Sequence, residues 1–303
     1  MNGPMARYLD GSETGRLHLQ HGPIDLVIGV DGPRATSSQI LHAHQCAWRR
    51  FRTILPELVD ELPLLRSPAT PHGPGARGST ARRMVEAVRP FAANHFITPM
   101  AAVAGAVADE VLAAIRLGFP ADDCPERIFV NNGGDIAFHL SGEAEFSVGI
   151  ARDDGAGLGR FGVTASDPVR GIATSGRGGR SLSLGIADSV TVLADAAASA
   201  DAAATIIANA VDLPGHPAIR RAPASSVKDD SDLGDLPVVI DVAPLPADEI
   251  ARALDSGQEM AEHLIHCGLI SRAALFLQGA HRITAPDPAP FPMTPRLEMR
   301  PHA

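Results

Sequence analysis

Six short stretches follow one another through the middle of the chain: Arg127 to Asn131, Asp135 to Leu140, Glu145 to Ile150, Gly159 to Ala165, Gly171 to Thr174 and Ser189 to Leu193. Each is short and rich in apolar or β-branched residues, and Gly, Asp and Ser clusters separate them. Most of the connections are too short for a crossover helix, so the pattern predicts an antiparallel meander. Helical patterns stand on both sides. Trp48 to Leu62, with Pro56 inside it as a kink or a new start, Ala81 to Phe91 and Pro99 to Leu117 precede the meander; Asp195 to Val211 follows it. Thr98 suits an N-cap and Pro99 the first helical position.

The flanks are less regular. Ile24 to Val30 reads as a strand ended by Asp31-Gly32-Pro33, and Leu64 to Ser79 as a Pro/Gly-rich loop. Asp212 to Leu236 is a long polar connection, of the kind that is functional or mobile. A strand at Val238 to Val242, helical stretches at Ala247 to Leu254 and Gln258 to His266, and an apolar run at Ala273 to Gln278 come next. Six prolines in the 23 residues from His281 predict a disordered tail. The expected organisation is a polar segment over 1–20, one body over 21–280 and a tail over 281–303.

Composition excludes several function classes. With 303 residues and 45% hydrophobic content the chain can bury a substantial core as one large domain or two modest ones. The net charge is -9 and Lys228 is the one lysine among 26 basic residues, so no phosphate-neutralising face for nucleic acid is expected. Three scattered cysteines, Cys46, Cys124 and Cys267, offer neither a disulfide framework nor a metal knuckle, which fits reduced thiols in a cytoplasm. Residues 1–20 carry Arg7, Asp10, Glu13 and Arg16 in place of a signal-peptide apolar run. No membrane span is expected either, because Asp109, Glu110 and Arg116 interrupt Pro99 to Leu117.

Three places could carry chemistry. Asp201 and Thr205 lie four apart on an expected helix, so a carboxylate and a hydroxyl share one face and could hold a hard cation with backbone carbonyls; an exposed Asp and a self-bonded Thr are the plainer alternative. Asn131-Asn132-Gly133-Gly134-Asp135 joins two strands through glycines that leave amides uncovered, suited to a phosphate or a ring edge, or to a simple tight turn. Thr174-Ser175-Gly176-Arg177-Gly178-Gly179-Arg180 offers hydroxyls, amides and two guanidinium groups for an anion. Gly155-Ala156-Gly157-Leu158-Gly159 lacks the context of a dinucleotide fingerprint and reads as a hairpin connection. His42, His44 and Cys46 alternate and would share a side only on an extended backbone, without a fourth ligand nearby.

The order of these segments resembles the ApbE superfamily of flavin transferases, which use magnesium to move FMN from FAD onto a threonine or serine hydroxyl of a target protein. Thr98-Pro99-Met100-Ala101-Ala102-Val103-Ala104-Gly105, Asn132-Gly133-Gly134-Asp135, Ser231-Asp232-Leu233-Gly234-Asp235 and Leu277-Gln278-Gly279 resemble more closely a cytoplasmic branch of that superfamily whose function is not established. The resemblance covers residues 20 to 280. It implies an α+β fold of the ApbE and T-fold-like kind, with antiparallel sheets and packed helices.

It further implies that Asp201, Thr205 and a backbone carbonyl near Val103 bind Mg2+, and that Gly105, Asn132, Gly133, Gly134, Asp135, Thr174, Ser175, Gly176 and Arg177 line a site for FAD or a related flavin. Asp109 and Asp135 are the candidate general bases. The acceptor, a protein or water, stays open, as does a homo-oligomer. Where the transferases carry Lys-Gly-Tyr and then Asp, this chain carries Ala104-Gly105-Ala106 and Asp109, without the cation and the stacking ring. The expected function is therefore Mg-dependent FMN or phosphoryl transfer or FAD hydrolysis. A binding protein that has lost the transfer step is the alternative.

Overall fold

The computed structural model describes residues 3–33, 35–151, 157–179 and 181–285, without the side chains of 148, 150, 151 and 157–161. In chain order the strands are β1 (Met5–Tyr8), β2 (Leu17–His21), β3 (Ile24–Asp31), β4 (Arg127–Asn132), β5 (Asp135–Leu140), β6 (Glu145–Ala151), β7 (Gly157–Thr164), β8 (Gly171–Ser175), β9 (Ser189–Ala194), β10 (Ile219–Pro223), β11 (Pro237–Val242), β12 (Arg272–Leu277) and β13 (Ala280–Thr284). The helices are α1 (Ser37–Asp60), α2 (Leu62–Leu65), α3 (Ser79–Val88), α4 (Val103–Leu117), α5 (Ala197–Ala210), α6 (Ala224–Val227) and α7 (Ala247–His266), with 3-10 turns at Arg89–Phe91 and Pro99–Ala102.

Nine strands form one sheet in the order β1-β2-β3-β4-β5-β8-β9-β12-β13, and every pairing in it is antiparallel. Alternation decides which face each residue serves. Leu26, Ile28 and Val30 of β3 and Ile128 and Val130 of β4 point into the main core. There α1 packs on β2 and β3, α4 on β4 and β5, α5 on β8 and β9, and α7 on β12 and β13, so each hairpin is backed by one helix. On the other face Phe138, Leu140, Ile172 and Leu193 form a smaller core with Val163 and Phe146 of the β6–β7 hairpin.

The expected antiparallel, helix-packed α+β fold is observed. At its centre α5 is surrounded by α3, α4, α7, β8 and β9, which explains its alanines: Ala197, Ala198, Ala200, Ala202, Ala203 and Ala204 are all buried. Small side chains let α4 cross it at backbone contact. A Cβ on Gly105 would stand 2.3 Å from the carbonyl oxygen of Ala197.

Several element boundaries differ from the sequence expectation. The polar segment 1–20 carries β1 and most of β2, in which Leu17 and Leu19 join the core and His18 between them is buried as well. β13 begins at Ala280 and runs to Thr284, where the proline-rich tail was expected from His281; residues 286–303 of that tail lie outside the described residues. The connection 212–236 contains β10 and α6. α7 is one helix, since Gly257 is where Val211 and Leu275 press against it rather than a break. α1 starts at Ser37, capped by Thr36 with Gln39 answering as a capping box, and continues through Pro56.

Candidate functional site

Four elements converge on Asp201, which stands one turn inside α5. Its Oδ2 accepts the amide N–H of Gly105 at 3.0 Å, and the amide of Ala104 also stabilises the carboxylate. These are orphan amides of the first turn of α4, whose N-cap, Ala102, supplies no side-chain hydrogen bond. The carbonyl of Ala104 accepts the side-chain amide of Asn132 at 3.1 Å, which ties the β4–β5 turn to the same place.

That turn is built as the sequence suggests. Asn132 pairs with Asp135 across a two-residue loop, and Gly133 and Gly134 have φ of 66° and 116°, values that glycine takes without penalty. The amide of Gly134 donates to Asn131 Oδ1 at 2.8 Å, and a Cβ on Gly134 would meet nothing within 4 Å. Asp135, itself buried, accepts the Thr174 amide at 3.0 Å, joining the turn to the end of β8. The next residue, Ser175, places its hydroxyl 3.4 Å from that of Thr205, one turn along α5 from Asp201.

Electrostatics single out Asp201. Burial pushes its carboxyl well above the ordinary carboxylate range, and the charges of Asp135 and Asp109 add to this, against the two amides. Asp109 is pushed up to about 6, first by burial and secondarily by Asp195, while the amides of Ala198 and Ala197 and the Arg83 charge oppose the shift. Two further carboxylates thus act on Asp201, which has no ion-pair partner among the described residues.

The remaining expected residues are placed as follows. Val103 opens α4, two residues before Gly105. Thr174 Oγ1 lies 2.9 Å from Thr191 Oγ1, and Gly176 takes φ 136°. Arg177 is exposed and directed to Asp188, with Nε at 3.0 Å and Nη2 at 2.6 Å from its Oδ1. Arg180 and the residues 155 and 156 of the second glycine-rich stretch lie outside the described residues.

His42, His44 and Cys46 fall on α1 rather than on an extended backbone, which separates buried His44 from the 3.7 Å His42–Cys46 pair. Among the described residues no group of three or more His, Cys, Asp or Glu is arranged to hold a metal ion. A cation at Asp201 would therefore rest on one carboxylate with hydroxyl and carbonyl oxygens, a donor set that suits Mg2+ rather than zinc. A cleft of about 170 Å³ lined by Gln39, Asp122, Asp123, Cys124, Pro125 and Glu126 contains none of the expected residues.

Sequence reasoning missed Asp188, Thr191 and the use made of Gln278. It also missed that buried Thr98 turns its hydroxyl to Asp232 instead of capping its own turn. No helix of the described residues is long and apolar enough to cross a membrane.

Comparisons with known proteins agree with this architecture. A UPF0280 protein of Methanococcoides burtonii is 36% identical over 127 residues, covering 42% of this chain and 51% of that protein. One of Methanopyrus kandleri is 38% identical over 130 residues, covering 43% and 48%. The matches thus span about half the length of these relatives. Among solved structures, the ApbE protein of Thermotoga maritima aligns over 88% of this chain and 96% of its own at a TM-score of 0.50 and 11% identity, a likeness of fold. The family described as AbpE bacteria matches residues 6–283, nearly the whole of what is described above, and the chain belongs to it as an ApbE-like superfamily member.

Proposed function

We propose that this chain binds a flavin nucleotide, FAD or a relative, together with Mg2+, and transfers its FMN or phosphoryl group to an acceptor hydroxyl or to water. The observation that carries the reading is the convergence on Asp201 of the α4 amides, the double-glycine turn, Ser175 and Thr205. Family membership supports the choice of ligand class. A carboxylate with raised proton affinity and no ion-pair partner among the described residues is a site for a cation, and Asp201 with Thr205 would hold it. A divalent ion there supplies charge neutralisation for a pyrophosphate as its P–O bond breaks.

The protein's own groups do the rest. The turn backbone at Gly133, which carries no side chain, and the hydroxyls of Thr174 and Ser175 orient the ligand, while the Gly134 amide is held by Asn131. In FMN transfer from FAD the acceptor oxygen forms a bond to the FMN phosphorus, AMP leaves with the bridging oxygen, and the acceptor proton passes to a base. Asp135 suits that role better than Asp109, whose two oxygens are committed to the amides of Ala197 and Ala198 at 3.1 and 2.9 Å.

A second reading, binding without turnover, is favoured by Ala104 and Ala106 standing where the transferases carry a lysine and a tyrosine. One experiment separates the two. Purified protein is incubated with FAD and MgCl2, and FMN and AMP are followed by chromatography while flavin fluorescence reports binding. Mg-dependent release supports transfer or hydrolysis; saturable binding without release supports the carrier. Neither signal would sink both readings.

A further inference from the structure

Gln278 is the one non-glycine with positive φ among the described residues, at 44°. With Gly279 it forms the two-residue turn between β12 and β13, whose flanking residues Leu277 and Ala280 pair directly. A left-handed residue with a Cβ and a long side chain is strained, and such strain persists only where the surroundings hold it.

Here they hold it from three sides. Its side-chain oxygen accepts the amide of Leu245 at 2.9 Å, its side-chain nitrogen donates to the carbonyl of Ala243 at 2.9 Å, and its own amide N–H donates to Asp188 Oδ2 at 2.5 Å. Asp188 carries the connection onward. Its other carboxylate oxygen takes Nε and Nη2 of Arg177, its carbonyl accepts the amide of Gly178 at 3.1 Å, and the neighbouring Ala187 carbonyl accepts the amide of Arg177 at 2.9 Å. The segment after Ser175 therefore takes its shape from Ala187 and Asp188, just before β9, and from a turn 100 positions away in sequence. Nη1 of Arg177 makes no hydrogen bond to the described residues.

We propose that Gln278 is a positioning residue: through Asp188 it fixes the 176–179 segment so that Arg177 presents a preset guanidinium to the phosphate of an anionic ligand. This rests on the nucleotide reading above. A fixed guanidinium binds phosphate with less ordering cost than a mobile one.

The test uses the full chain with Gln278→Gly, which keeps the turn and the amide to Asp188 but removes the clamp on 243–245. Gln278→Asn and Asp188→Asn serve where the first variant does not fold. Two readouts are taken: hydrogen exchange at the amides of Arg177 and Gly178 without ligand, and affinity for FAD against riboflavin, which lacks phosphate. Faster exchange, with FAD binding weakened by about fivefold or more and riboflavin binding unchanged, is expected. Unchanged exchange overturns the proposal, as does undiminished FAD affinity in the variant. If the unsubstituted protein binds neither flavin, the nucleotide reading fails and takes this proposal with it. If it binds FAD and the variant binds equally, this proposal alone fails.

Discussion

Asp109 and Asp201 each close the N-terminus of the helix that carries the other. Asp109 projects from α4 and takes the amides of Ala197 and Ala198 at the start of α5; Asp201 projects from α5 and takes the amide of Gly105 at the start of α4. Neither helix caps itself, since Ala102 and Ala196 at the N-cap positions lack a side-chain acceptor. The exchange needs the two axes in near contact. It also aims the positive end of the α4 dipole at Asp201, which opposes the upward push on its carboxyl from burial and from its like-charged neighbours.

Gly105→Ala is expected to destabilise the fold by about 2–4 kcal/mol, although helix propensity alone favours alanine by about 1 kcal/mol. The added carbon would meet backbone atoms of Ala197 and Ala198 at 2.3 to 2.7 Å, and backbone cannot swing aside as a side chain can. Gly134→Ala is the comparison: nothing lies within 4 Å, and only the φ of 116° opposes it, at a cost on the order of 1–2 kcal/mol. Urea unfolding of both variants checks the order. Equal losses would contradict the close crossing.

The pH dependence of stability should carry the mark of Asp109. Its folded pKa is raised to about 6 from an ordinary value of 3.8, so the folded state binds the proton more tightly. The stabilisation is fully present below the unfolded value and is lost as pH rises through about 6, by about 2–3 kcal/mol in all. Asp109→Asn removes that slope whatever its fixed offset. Unfolding free energies of both proteins at pH 4, 5, 6 and 7 should therefore converge or diverge only within this window, and parallel curves would refute the shift.

What the sequence made legible was local. The alternation of β4 and β5, the Asn132-Gly133-Gly134-Asp135 turn and the shared face of Asp201 and Thr205 all follow from spacing over a few residues, and each stands where it was expected. The hidden features depend on distant partners. Asp109 reaches amides 88 and 89 positions away, and Gln278 reaches Asp188 across 90, so no window of sequence contains either pair. β1 escaped notice because all four of its residues are exposed at the edge of the sheet, leaving no buried face to create a pattern. β10 hid for a similar reason, its Arg220 and Arg221 being committed to Asp241 and Asp212 rather than to a core.

Magnesium should stabilise this protein through Asp201. In the unsubstituted chain several millimolar MgCl2 is expected to raise the midpoint of thermal unfolding above that in NaCl of equal ionic strength, since a ligand that binds only the folded state stabilises it by mass action. Asp201→Asn removes the charge while leaving an oxygen for the Gly105 amide, and should abolish the magnesium increment without loss of fold. An increment of the same size in the variant would place the ion elsewhere. Thr205→Val should reduce it by a smaller amount, because a hydroxyl contributes less than a carboxylate to a hard cation.

Thr98→Val tests how the acidic segment 228–235 is kept against the start of α4. Thr98 is 2% exposed and its hydroxyl donates to Asp232, whereas a second tether, the ion pair of Arg66 with Asp230 at 3.1 Å, joins exposed side chains. Exposed pairs contribute about 0–1 kcal/mol, while a hydrogen bond to a charged group contributes about 1.5–3 kcal/mol. Valine keeps the shape and removes the donor. The expected result is faster cleavage within 228–235 by a protease specific for acidic residues, with Arg66→Ala changing the rate much less. If the two variants were cleaved alike, the segment would be held by its own turn bonds, such as Ser225 to Asp235, and Thr98 would be only a packed residue beneath it.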